Sequence, residues 1–289
     1  MNKPLKIIYI AGVGHSGSTL LDLLISSHSK ITSVGEAKVL VSPFEVGASH
    51  ILLTKRCTCG SPTILDCEFW QSVNNALLEK YKLSLDHLEL SSSNHQTFRN
   101  HNIAFFDTVS AVSRCEYVVD SSKNPERLKK LLTVKEVTLF PIHIVRNPYG
   151  VVYSNVKKGR NWTLHANMYR QNTSTIKRLL RQRNCFHVHY DHLVRTSHHT
   201  LSNVMSWLGL TLEEGQCEWT SHEHHNISGN QMRFNTSNRI KLDVDWKHNL
   251  TPLQKIAIAL LAFPHSNIRA ILPQQFLDNI TERGSMSAD

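Results

Sequence analysis

The chain has 289 residues, 40% of them hydrophobic, which is enough for a substantial core and excludes a disordered chain. Lysine and arginine outnumber aspartate and glutamate 32 to 23, for a formal net charge of +9. Basic residues form no run of five or more and aromatics do not alternate with them, so the charge points to a small polyanionic ligand rather than to nucleic acid.

In chain order, apolar and β-branched residues predict a first strand over 5–11. Gly12-Val13-Gly14-His15-Ser16-Gly17-Ser18-Thr19 then forms a glycine-rich turn. An apolar-faced helix follows over 20–28. Such a turn is an anion site: glycines let the backbone approach, amide hydrogens converge, and the helix N-terminus adds partial positive charge. The spacing nearly fits the nucleoside-triphosphate loop, but Ser18 stands where that loop carries its lysine. The loop can cradle a 5′-phosphate-like group, while kinase or nucleotide-hydrolysing chemistry is disfavoured. A bare turn without a ligand is the bland alternative.

Residues 37–115 hold three clustered cysteines and two helical stretches, around 70–81 and 103–112, separated by a polar span over 90–102 that reads as a surface loop. A strand at 116–120 leads to Ser121-Ser122-Lys123-Asn124-Pro125, with Pro125 opening a helix over 126–132. A strand over 138–145 ends at Arg146, and a helix follows over 149–157. An amphipathic helix spans 161–183, whose charges read as a solvated face. A short strand at 186–190, a helix over 201–208 stopped by Gly209, and an apolar helix over 253–261 complete the pattern. Strands alternating with helices imply an α/β fold: a central parallel sheet with helices on both faces, in three layers. We expect a single domain over 1–280 and a polar tail over 281–289. Ligands bind at the carboxyl ends of such strands, where the glycine loop, Lys123 and Arg146 all fall.

The two phosphate motifs together, the glycine loop and Arg146 with Ser154 eight residues on, resemble the sulfotransferase family that uses 3′-phosphoadenosine 5′-phosphosulfate. The resemblance is to bacterial-type members with a P-loop-like domain. It implies transfer of a sulfuryl group to a hydroxyl or amine of a small-molecule, carbohydrate or lipid acceptor, with no metal required. It places the 5′-phosphosulfate on Gly14, His15, Ser16, Gly17, Ser18 and Thr19, and the 3′-phosphate on Arg146 and Ser154. Arginine suits that role because its planar fork matches phosphate oxygens. Gly229, Asn230 and Arg233 resemble the late segment that closes over the 3′-phosphate.

For catalysis, His15 stands where many relatives carry a lysine or arginine. Lys123 resembles the lysine that reaches the sulfuryl group. Glu36 matches the spacing of the base proposed for the tyrosylprotein branch, whereas the histidine base of the cytosolic branch has no counterpart near Pro125. His95, His101 and His165 are loop candidates for that role. Trp246 reads as core rather than as an adenine-stacking ring. A kinase and a non-catalytic nucleotide-binding module are the competing readings.

Cys57, Cys59 and Cys67 are structural thiols, a redox-sensitive pair, or, with His50, a metal site whose C-x-C spacing departs from the usual C-x₂-C. Bacterial sequences of this family type carry a similar cluster. No apolar run approaches the roughly 20 residues of a membrane span, and a cytoplasmic enzyme is expected.

Overall fold

The computed structural model describes residues 4–40 and 48–263. The expected polar tail lies outside them. In chain order the elements are β1 Leu5–Ala11, α1 Ser18–Ser26, β2 Ile31–Ser33, α2 Ala48–Thr54, α3 Glu68–Tyr81, α4 His95–Ser113, β3 Tyr117–Lys123, α5 Pro125–Leu131 and β4 Val137–Val145. They continue with α6 Pro148–Val156, α7 Trp162–Leu180, β5 Phe186–His189, α8 Tyr190–Arg195, α9 Ser197–Leu208, α10 Trp246–Asn249 and α11 Pro252–Ala262. The five strands form one parallel sheet in the order β2-β3-β1-β4-β5. No helix among the described residues is long and apolar enough to cross a membrane.

Alternation along β1 shows why both faces are covered. Ile7, Tyr9 and Ala11 enter one core with residues of α3, α4 and α5, whereas Ile8 and Ile10 enter the other with residues of α1, α8 and α9. A central strand buried on both sides reads as a continuous apolar run, and all five of these residues are fully buried. The helix starts are chemically specified. Asn124 accepts from the amides of Glu126 and Arg127 with Pro125 behind it, and Gly209 ends α9 in the left-handed region.

The polar span at 90–102 is not a loop throughout. Asn94 caps α4 by accepting from the amide of Thr97 at 3.0 Å, so the helix begins at His95. Its polar residues serve a buried cation: Arg127 donates to Asp120 (2.7 Å), to Asn102 (2.7 Å) and to the carbonyl of Leu90. Composition alone hides this, because the partner lies on α5.

The described residues divide into two compact units, one of those up to 145 together with 176–242, the other of 146–175 together with 243–263. The first holds the sheet. In the second, Asn147 caps α6, α11 packs on α6, and Trp246 stacks on Tyr149 with ring centroids 5.0 Å apart. Trp246 is half-buried rather than core, because the four-residue α10 that carries it has no buried residue.

Candidate active site

The glycine turn joins the carboxyl end of β1 to α1 at the middle of the sheet. Its conformation needs the glycines. A Cβ on Gly12 would lie 2.9 Å from the carbonyl oxygen of Ile144 on β4. Gly17 has φ +91 and its Cβ would lie 2.5 Å from Cδ2 of Tyr190. His15 also adopts a positive φ of 65. Gly17 is the N-cap of α1 and supplies no side-chain cap, so the first-turn amides of a nine-residue helix keep their hydrogens for a ligand. Ser16, Ser18 and Thr19 are buried, and Ser16 Oγ has no hydrogen-bond partner among the described residues. Gly14 is exposed with open space about its Cα. These features fit a bound phosphate-like anion.

Lys123 ends β3, where it pairs with Ala11 of β1, immediately before the turn. It holds a positive φ of 63. Its Nζ donates to Glu36 Oε1 at 2.5 Å, and Lys38 Nζ lies 3.3 Å from Glu36 Oε2. Glu36 reaches this edge because Val34 and Gly35 bond to the β3 backbone: Val34 N donates to Val119 O, and Ser121 N donates to Gly35 O. Burial would push the Glu36 carboxyl up, but the two ammonium groups outweigh it and hold the carboxyl below its ordinary value.

Segment 226–233 closes the same edge. Asn230 N donates to Thr19 Oγ1 at 3.1 Å, and Ile227 N donates to Val34 O at 3.1 Å. Arg233 donates to the carbonyls of Asn226 (2.7 Å) and Arg56 (3.1 Å), so its terminal nitrogens hold backbone. Sequence reasoning passed over Asp22, one turn into α1. Its Oδ2 accepts from Ser121 Oγ (2.6 Å) and Asn226 Nδ2 (2.9 Å), and burial raises its pKa to about 6. The signal was available: one acid within Leu20-Leu21-Asp22-Leu23-Leu24, a fully buried run.

Arg146 and Ser154 belong to the second unit. The Arg146 guanidinium lies 3.0 Å from Asp243 Oδ2 and lies against Gly150, whose Cβ would meet its Nε at 2.8 Å. Tyr169 donates to the Arg146 carbonyl at 2.8 Å. Ser154 Oγ donates to the Gly150 carbonyl at 2.7 Å, so Gly150 stands between the two residues of the motif. His95 and His101 lie on α4 and His165 on α7; none is in a loop.

The family model described as the sulfotransferase family matches residues 8–214. The sulfotransferase domain from the Synechococcus PCC 7002 olefin synthase superposes with a TM-score of 0.60 at 18% identity, covering 94% of this chain and 98% of that one. The sulfotransferase domain from the curacin biosynthetic pathway gives 0.51 at 16% identity, covering 91% and 99%. At such identities the likeness is one of fold. Among curated proteins no sequence relative matches.

Proposed function

The chain belongs to the sulfotransferase family, and we propose that it moves a sulfuryl group from 3′-phosphoadenosine 5′-phosphosulfate to a hydroxyl of a small-molecule, carbohydrate or lipid acceptor, or to an amine of one. The observation that carries this reading is the uncapped start of α1 beneath the glycine turn, beside the Lys123–Glu36 pair at one sheet edge. The donor supplies the sulfuryl group on a phosphosulfate anhydride.

The roles we assign follow from charge and position. The amides of 14–19 and the hydroxyls of Ser16, Ser18 and Thr19 hold the 5′ end of the donor. Arg146 and Ser154 hold its 3′-phosphate, on the strength of their motif. Arg233 fixes segment 226–230 and adds positive charge to the 3′-phosphate. Lys123 and His15 stabilise charge on the departing side, in place of a metal ion. Glu36, ionised at neutral pH beside Lys123 and Lys38, takes the acceptor proton. Six free cysteines suit a reducing, cytoplasmic setting.

Calorimetric titration with 3′-phosphoadenosine 5′-phosphate, beside ATP with magnesium, tests the donor. Tight binding of the bisphosphate and weak binding of ATP is the expected result. Preference for ATP would transfer the site to nucleotide-triphosphate chemistry. Turnover of the phosphosulfate with any acceptor separates an enzyme from a binding module.

A further inference from the structure

Three separate pieces of the first unit bring soft ligands to one point. Cys57 and Cys59 come from a turn closed by Gly60, whose amide donates to the Cys57 carbonyl at 3.0 Å. Cys67 stands at the N-cap position of α3, with its side chain making no capping bond. His225 comes from the segment that runs on to Asn230, which bonds Thr19 at the glycine loop. Their three Sγ atoms and one ring nitrogen all lie within 4.8 Å of one another. Cys59 Sγ to Cys67 Sγ is 3.7 Å, Cys67 Sγ to His225 Nδ1 is 3.3 Å, and Cys57 Sγ to His225 Nδ1 is 3.9 Å.

These three distances are close to the edges of a metal tetrahedron. Zinc–sulfur bonds of about 2.3 Å and zinc–nitrogen bonds of about 2.0 Å at tetrahedral angles put sulfurs about 3.8 Å apart and sulfur and nitrogen about 3.5 Å apart. We propose that Cys57, Cys59, Cys67 and His225 bind one zinc ion in a closed Cys₃His site that fastens the 56–67 segment to the 225–230 segment, whose Asn230 bonds Thr19 of the glycine loop. The three thiol protons pass to solvent as the ion binds. Four protein ligands leave no open position for a substrate, so the ion is structural. Three sulfurs and one imidazole in a tetrahedron select zinc over the oxygen-loving divalent ions.

The surroundings hold the ligands in place. His225 Nε2 lies 3.5 Å from Glu223 Oε1, leaving Nδ1 on the side of the thiols. Phe69 stacks on the imidazole at 4.5 Å and 8°, and Trp70 Nε1 donates to the His225 carbonyl at 2.8 Å. Cys57 and Cys67 are buried, while Cys59 is exposed. Ser61 Oγ lies 3.2 Å from Cys59 Sγ. The sequence had offered His50 as the fourth ligand. That residue stands in α2, with its side chain outside the described set, and the ligand is instead His225, 158 positions beyond Cys67.

The ion would also stiffen the active edge. From His225 onward, Asn226 Nδ2 donates to Asp22, Ile227 N to Val34 O, and Asn230 N to Thr19. The site is independent of the donor assignment, because it rests on the cluster alone.

The test is metal content and cobalt spectroscopy on the full chain, purified reduced and loaded with zinc. Mass spectrometry of metals is expected to give one zinc per chain, and cobalt loading the intense thiolate charge-transfer and tetrahedral d–d bands. Cys59→Ser, an exposed position, should lose most of the bound zinc and those bands while keeping the far-ultraviolet circular dichroism of the parent. Cys115→Ser and Cys185→Ser, outside the cluster, should keep both. Absence of stoichiometric metal after loading, with all six thiols titrating freely, overturns the proposal. So does a Cys59–Cys67 disulfide in the protein as made, or an octahedral cobalt spectrum.

Discussion

Lys123 Nζ lies 2.5 Å from Glu36 Oε1, joining the end of β3 to the segment that follows β2. Both side chains are mostly covered, at 11% and 17% exposure. The pair therefore feels a lower dielectric than water and is stronger than a surface ion pair. It also keeps Glu36 in the carboxylate form that the proposed reaction needs. A bound donor anion would draw the ammonium toward itself and leave Glu36 to its second cation, Lys38.

Glu36→Gln is the most direct probe of that division of labour. The amide is nearly isosteric but cannot take a proton. We expect kcat to fall by about 10²–10⁴-fold, the usual range for a general base, with the affinity for 3′-phosphoadenosine 5′-phosphate nearly unchanged. Steady-state kinetics beside calorimetry gives both numbers. Full activity in the variant would move the base elsewhere.

Arg146→Ala should weaken binding of the same bisphosphate by about 1.5–3 kcal/mol, or roughly ten- to a hundredfold, the scale of a charge-assisted hydrogen bond. The variant also frees Asp243 from its guanidinium partner, so a melting curve must accompany the titration. Unchanged affinity in a folded variant removes Arg146 from the site.

Much of this was legible in the chain. The strand–turn–helix at 5–28 declared itself because a buried parallel strand is a solid apolar run and the turn is rich in glycine. The covered sheet followed from alternation of strands and helices. What the sequence hid depends on partners distant in the chain. Asn102 looks like loop chemistry until Arg127 is seen against it. His225 is one of 18 histidines, and nothing in its own neighbourhood ties it to Cys57. Trp246 is apolar enough for a core, yet its short helix lies at the surface. For Arg233 the sequence shows the charge but not the carbonyls of Asn226 and Arg56 that its terminal nitrogens hold, which only the fold brings near.

Two of the three loop glycines, Gly14 and Gly17, should separate stability from binding. Gly17→Ala forces a Cβ to 2.5 Å from Tyr190 in a left-handed backbone, and should cost about 1–3 kcal/mol, visible as a lower melting temperature. A Cβ on Gly14 meets nothing within 4 Å, so Gly14→Ala should leave the melting temperature nearly unchanged. It places a methyl where the anion is proposed to sit, and should weaken bisphosphate binding. A Gly14→Ala protein that binds as tightly as the parent would take that glycine out of the cradle.

Acidification should destabilise the fold between about pH 6.5 and pH 4, and two buried histidines set the sign. Burial lowers His143 and His224 from an ordinary 6.5 to about 4. In that window the unfolded chain binds protons that the folded chain refuses. Their contribution is thus intact above pH 6.5 and is lost as pH falls toward 4, at about 3 kcal/mol each at the full shift. Asp22 runs the other way. Burial raises its pKa from 3.8 to about 6, so the folded chain holds a proton the unfolded chain has released, and stability falls as pH rises between those values. Two histidines outweigh one carboxyl, and the net effect is loss on acidification. His224→Gln should remove about half of the histidine contribution. Its amide can still donate to the Trp219 carbonyl that now takes the His224 Nε2 hydrogen at 3.0 Å. Urea unfolding of both proteins at pH 7 and pH 5 measures the difference. Equal losses in parent and variant would show that His224 already carries its proton in the folded state.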